Sequence, residues 1–360
     1  MHTLQYAQKT IKKSIHFLTN STKNYILGLL ITTGKKNCFT MSTALGIPYS
    51  SIYQFFDDFE HYKDGIQDFF ATIVKLHATK ENPGVLIVDT THILKLYSKK
   101  LKVLCYDRNG SIKLVAKGIS CVTAAWTNGK VLIPLDFDFW IRKPELGENE
   151  KYKKKTEISE ELIRKWKNKI PFAYVSLDGD YGSEYFLSFL HNFCLSYFVR
   201  MPKNRHVVID GKELALADHP VFQLKRNERY KTVKCFYKGI PAYVTSHKRK
   251  GPKGKKQIVF VISNVKGLSP KQYIEAYQLR WPIEKMFRTV KQYLGLQQCQ
   301  SRFVENQRAH IFATFLAFTE LEIQKENKNK RSPEEVLKDL RVQNTAKINP
   351  KFKLGEGFIM

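Results

Sequence analysis

The order in which strand and helix patterns follow one another between residues 84 and 202 constrains this chain more than any single motif. "GVLIVDTTHI" at 84–93 is a β-branched and aliphatic run broken by Asp89. "GISCVTAAWT", the Asn128-Gly129 turn and "KVLIPLDFDFW" then read as an antiparallel hairpin, because an Asn-Gly pair between two apolar runs favours a tight turn. A basic loop, "RKPELGENEKYKKK" at 142–155, leads into an amphipathic helix at about 157–169. A buried-type strand in "FAYVSLDGDYGS", a helix through about 192 and a further strand at 195–202 complete the order βββ-α-β-α-β.

That order is the order of the ribonuclease H-like fold, an α/β class built on a mixed sheet, and few other mixed sheets share it. Around it, residues 1–80 read as helical, and "MSTALGIPYSSIYQFFDDF" at 41–59 has the helix, Gly46 turn and second helix of a helix-turn-helix. A plain helical hairpin fits the same spacing. Residues 203–265 are polar and strand-rich and read as a β insertion with a basic loop rather than a continuation of the sheet. Residues 266–325 return to apolar helices, so the core is expected at 84–202 and 266–325. In the polar tail, 326–360, Ser332 as N-cap, Pro333 and Glu335 predict one short helix.

Sixty Lys and Arg against 33 Asp and Glu leave a net charge of +27, a balance that points to a polyanion such as DNA or RNA. No stretch reaches the roughly 18 apolar residues of a spanning helix, and the first residues lack the pattern of a signal peptide, so a cytoplasmic protein without a membrane partner is expected. The six cysteines are scattered with no C-x-x-C pair, which argues against a zinc site or a disulfide framework. Any metal must be held by oxygen.

Asp89 is the lone charge in a buried-type strand, where a carboxylate is costly unless a cation or hydrogen-bond donors meet it. Asp178 is the first charge after "FAYVSL". With Glu284 from a later helix these acids would make an all-oxygen pocket suited to Mg²⁺ or Mn²⁺. Singly, each has a plainer role: Asp89 could cap a turn, and Asp178 could shape its loop as an Asx turn.

The helix that brings Glu284 is "YQLRWPIEKMFRTVK", residues 277–291. At about 100° per residue, Tyr277, Arg280, Glu284, Arg288 and Lys291 share one stripe, and Ile283, Met286, Val290 and Leu294 lie on the other side. Tyr277, Arg280, Glu284 and Lys291 have the spacing Y-(2)-R-(3)-E-(6)-K. This resembles the signature of the DDE transposases of bacterial insertion sequences, specifically the insertion sequence four family. "VDTTH" and "LDGDYGS" are similar to the sites of that family's first two acids, over about residues 84–320. The spacing to Tyr181 favours Asp178 over Asp180.

The resemblance implies a DNA transposase whose Asp89, Asp178 and Glu284 are both the catalytic acids and the ligands of two Mg²⁺ or Mn²⁺ ions, cutting double-stranded DNA at terminal inverted repeats and joining the ends to target DNA. It implies that Tyr277, Arg280 and Lys291, with Arg288 of the same stripe, face phosphates, and that a homodimer forms on DNA. It also implies a base-stacking aromatic in the insertion, for which Tyr230, Phe236, Tyr237 and Tyr243 are available. Lys248, Arg249, Lys250, Lys253, Lys255 and Lys256, with Lys151, Lys153, Lys154 and Lys155, read as phosphate contacts. A non-catalytic DNA-binding descendant and another ribonuclease H-like nuclease are the alternatives.

Overall fold

The computed structural model describes residues 19–345 apart from 111–112, 148–150, 252–253 and 255. Among the described residues three helices come first: α1 (Asn20–Ile31), α2 (Cys38–Leu45) and α3 (Tyr49–His77). Asn37 and Thr40 form a reciprocal capping box at the start of α2, and Gly46, at φ +66°, ends it. The expected pair of helices across Gly46 is therefore present. The second of them is long, and Ile52, Phe55, Phe59, Ile66, Phe69 and Phe70 bury one face of it in the core.

The sheet is built outward from β1 (Val85–Leu94), which pairs antiparallel with β3 (Leu114–Thr127) and parallel with β5 (Tyr174–Leu177). β4 (Leu132–Trp140) pairs with β3, and β6 (Tyr197–Met201) continues the parallel side beyond β5. The turn from β3 to β4 is held by Asn128, whose Oδ1 accepts from the N–H groups of Lys130 and Val131 at 3.0 Å each, with Gly129 at φ +89°. Parallel neighbours need crossovers, and α4 (Lys155–Lys167) and α5 (Glu184–Asn192) supply them. The result is a ribonuclease H-like sheet. One strand was not anticipated from sequence: β2 (Cys105–Asn109) pairs with the first residues of β3, and its "CYDRN" carries no apolar run.

The strands of 203–265 correct a second expectation. β7 (His206–Ile209), β8 (Lys212–Ala215), β9 (Tyr230–Tyr237), β10 (Ile240–Lys250) and β11 (Lys256–Ser263) are not separate from the core sheet. Residues 260–263 of β11 pair antiparallel with 198–201 of β6, so one eleven-stranded sheet runs from the core into this region. An unpaired edge of β6 would expose a row of backbone donors and acceptors, and β11 satisfies them.

Three helices follow and precede the tail: α6 (Pro270–Gln278), α7 (Trp281–Gln292) and α8 (Val304–Asn327). α8 is buried along most of its length, and its Phe312 and Phe315 rings lie 4.9 and 5.7 Å from that of Phe137 on β4. The stretch read as one helix, 277–291, is two. Pro282 has no amide hydrogen for the Gln278 carbonyl, so the chain crosses the break with tighter bonds, Arg280 N to Tyr277 O at 3.1 Å and Ile283 N to Arg280 O at 3.2 Å. Beyond the break the expected apolar side holds: Ile283, Met286, Val290 and Leu294 are fully buried. In α9 (Pro333–Thr345) the Ser332 hydroxyl accepts from Glu335 N at 3.3 Å, as its cap sequence predicts.

Candidate active site

Strand register brings the first two acids together. Val88 pairs with Leu177 in the parallel ladder, so Asp89 and Asp178, one residue further on, leave neighbouring strands side by side, roughly 5 Å apart in backbone spacing. Each carboxylate is braced locally: Asp89 Oδ1 accepts from Thr90 N at 2.8 Å and Asp178 Oδ1 from Gly179 N at 2.7 Å. Asp180 is exposed on the turn beyond. Of the two acids in "DGDYG", the fold brings Asp178 to Asp89.

The third acid reaches them through an arginine. Arg280, at the break before α7, donates from Nη1 to Asp89 Oδ2 at 2.7 Å and from Nη2 to Glu284 Oε1. Its side chain is only 4% exposed, against 16% for Asp89 and 55% for Glu284, so the site grades from a dry floor at Asp89 to a wet rim at Glu284. Arg280 Nε is buried without a hydrogen-bond partner among the described residues.

Burial pushes the Asp89 carboxyl up to about 7. Arg280 opposes that rise, and the negative neighbours Asp178 and Glu284 add to it. Burial also works against the charge of Arg280, but Asp89, Tyr277, Asp178 and Glu284 together outweigh it and hold its pKa above the ordinary value. The rise of Asp89 is therefore chiefly an effect of burial, with Arg280 the largest influence against it.

Among the described residues no group of three or more His, Cys, Asp or Glu side chains is arranged to hold a metal ion. The reason is visible: the Arg280 guanidinium stands between Asp89 and Glu284. The donor set nonetheless fits a hard divalent cation, since it is made only of carboxylate oxygens.

The expected phosphate contacts divide. Tyr277 and Arg280 are buried rather than presented to a ligand, with the Arg280 guanidinium 5.8 Å from the Tyr277 ring centre. Arg288 is exposed one turn beyond Glu284, and Lys291 is half-buried, its pKa lowered by burial. Arg249 and Lys250 are exposed at the end of β10, and the Arg249 guanidinium lies 5.1 Å over the ring of Trp281, the residue after Arg280. Lys248 is tied to the Lys225 carbonyl. Lys256 opens β11, and Lys253 and Lys255 lie outside the described residues. In the other basic loop Lys153 pairs with Glu161 at 2.7 Å and Lys155 with Asp107 at 2.6 Å, which leaves Lys151 and Lys154 exposed.

Of the four candidate stacking aromatics, Tyr237 is buried and bonds the Gly182 carbonyl, Tyr230 stacks on His247, and Tyr243 stacks on Tyr273. Phe236 alone of these is exposed. Two residues that sequence reasoning passed over, and a third that it used only as a spacing marker, belong to the site's surroundings. Arg200 on β6 comes within 3.9 Å of Asp178, and its signal was a single cation in the apolar strand "YFVRM". Trp281 was hidden among the charges of its stretch. Tyr181 supports the Asp89 strand from behind, its hydroxyl 3.3 Å from Thr90 Oγ1 and 3.2 Å from Ser159 Oγ.

A family model described as DDE superfamily endonuclease matches residues 16–234, which include Asp89 and Asp178 and stop short of Glu284. No curated protein matches the chain. No helix among the described residues is long and apolar enough to cross a membrane.

Proposed function

Because the chain belongs to the DDE superfamily endonucleases, we propose that it is a DNA transposase of the insertion sequence four type, with Asp89, Asp178 and Glu284 as its acidic triad. The observation that carries this reading is the meeting of Asp89 with Asp178 through strand register and with Glu284 through Arg280. The acid beyond the matched region is thus joined to the acids within it.

Asp89, Asp178 and Glu284 would hold the divalent ions, Mg²⁺ or Mn²⁺. When bound, a pair of such ions stabilises the attacking and leaving oxygens of an in-line displacement at phosphorus. The chain's own part is positioning. Asp89 and Asp178 are fixed by strands, Glu284 is carried by a helix whose apolar side is locked in the core, and Arg280 orients Asp89 and Glu284 relative to one another. Arg249, Lys250 and Arg288 are exposed around this point and supply cationic contacts that hold a DNA backbone without reading its sequence. The N-terminal helices and the basic strands of 203–265 would share the binding of the terminal inverted repeats, and two copies would bring two ends together.

The test uses a labelled duplex ending in the element's terminal repeat, with Mg²⁺ and a target plasmid. Cleaved ends and joined products are expected from the native chain and neither from Asp89→Ala, Asp178→Ala or Glu284→Ala, all three of which should still bind the repeat. Cleavage without joining would make the chain a nuclease of another kind. Binding without cleavage by the native chain would make it a DNA-binding protein only.

A further inference from the structure

Away from the acids, two adjoining pockets of about 490 and 570 Å³ form a groove between α2, the start of α3, the end of β1 and the segment joining α7 to α8. They share the walls Lys36, Asn37 and residues 298–301. Large rings stand exposed along it: Phe39 at 69%, Tyr49 at 50%, Phe303 at 57% and, at the far end, Tyr97 at 93%. Rings this open are costly to keep in water and are kept where something covers them.

The rest of the lining says what that something is. Beside Leu94, Leu96, Cys38 and Cys299 it holds amides, hydroxyls and cations, including Gln297, Gln300, Lys35 and Arg302, and among the described residues neither pocket has an Asp or Glu in its wall. Aromatic faces interleaved with amides, fringed by cations and free of carboxylates, match a ligand with flat heteroaromatic rings on a polyanionic backbone. A protein partner would need no such exclusion of acids.

The groove is also built in advance. Lys36 donates from its backbone to Gln298 Oε1 at 2.6 Å and from Nζ to the Thr32 carbonyl at 2.7 Å. Lys95 Nζ donates to the carbonyls of Gln297 and Cys299 at 3.1 and 2.5 Å, and Gln307 Nε2 to those of Cys299 and Ser301 at 3.3 and 2.6 Å. Burial lowers the pKa of Lys36 to about 8, with Arg341 adding to the effect, and lowers that of Lys95 as well. Both lysines are spent on holding the wall. Gly295, at φ +73°, leaves room for the Lys36 stem, which a Cβ there would meet at 2.8 Å. A pre-formed groove loses little freedom when it is filled.

We propose that this groove binds unpaired nucleotides of a DNA strand, with bases stacked on Phe39, Tyr49 and Phe303 and phosphates beside Lys35 and Arg302. The site is separate from the acids and goes beyond the cutting reaction: its mouth is at Leu94, about 17 Å along β1 from Asp89. It stands on the groove's own chemistry, so it survives if the acids prove not to cut.

The test measures binding of a fluorescein-labelled single-stranded dT 20-mer and of a blunt duplex of equal length by anisotropy, on the full chain without divalent ions. The double variant Phe39→Ala/Tyr49→Ala should bind the single strand at least about ten-fold more weakly and the duplex within about two-fold of native. Phe39→Tyr/Tyr49→Phe should bind both as the native chain does. Thermal melting checks folding; if the alanine pair melts early, Lys35→Glu/Arg302→Glu, which removes the two exposed cations and leaves the rings in place, should show the same selective loss. Equal losses for single strand and duplex would make the groove a duplex contact, and unchanged binding of both would return the rings to a protein partner. Either result overturns the proposal.

Discussion

Arg280 reaches back 191 residues to place its Nη1 2.7 Å from Asp89 Oδ2. The contact is almost dry on the arginine side, and the same guanidinium holds the exposed Glu284. An ion pair of this kind stabilises little in net terms, but removing one partner strands the other. Arg280→Gln should therefore lower the unfolding free energy by about 3 kcal/mol in the native chain and by much less in an Asp89→Asn background. A urea double-mutant cycle reads the coupling, expected at about 1–3 kcal/mol. A coupling near zero would mean that the two charges do not meet in solution. Most of the effect belongs to Asp89, because a pair with an exposed carboxylate such as Glu284 is worth little.

The elevated Asp89 carboxyl has a signature in pH. Its folded value of about 7 lies above the ordinary 3.8, so between about pH 4 and 7 the folded chain binds a proton that the unfolded chain has lost. The stability this contributes is fully present below about pH 4 and is lost as pH rises through 7. Melting temperature between pH 5 and 8 should fall more steeply for the native chain than for Asp89→Asn, in metal-free buffer. Parallel curves would show that Asp89 is ionised throughout.

Asp178 and Asp180 separate cleanly. Asp178→Asn should abolish end cleavage, whereas Asp180→Asn, two residues away on the exposed turn, should keep activity within about three-fold, consistent with the small effects of surface changes. Rates on a terminal-repeat duplex decide it. The reverse ranking would move the second acid of the triad to Asp180.

Arg249 offers a measurement by salt. As an exposed cation stacked on Trp281, Arg249→Ala should weaken duplex binding and reduce the slope of log affinity against log salt by about 1. Trp281→Ala should weaken binding less and leave the slope unchanged. An unchanged slope for Arg249→Ala would place the DNA backbone elsewhere.

Much of this architecture is legible in local sequence because local rules decide it. Asp89 announces itself as a charge in an apolar strand, the Asn128-Gly129 turn by its dipeptide, and α9 by its cap. What escaped depends on partners remote in sequence. Whether β6 ends the sheet or pairs onward depends on β11, about 60 residues later, and nothing in "YFVRM" marks the edge as occupied. Arg280 was visible as a cation one turn from Glu284, but its burial depends on Asp89, 191 residues earlier, and nothing in its own stretch marks that partner. β2 escaped because only its end residues, Cys105 and Asn109, are buried and the three between them are not, leaving no apolar period to read.

The joining of β11 to β6 has a mechanical meaning. Arg200, 3.9 Å from Asp178, is itself in register with Val261 on β11. A pull on the ribbon of β10 and β11 accordingly reaches the strand beside Asp178 through paired backbone rather than through a separate linker.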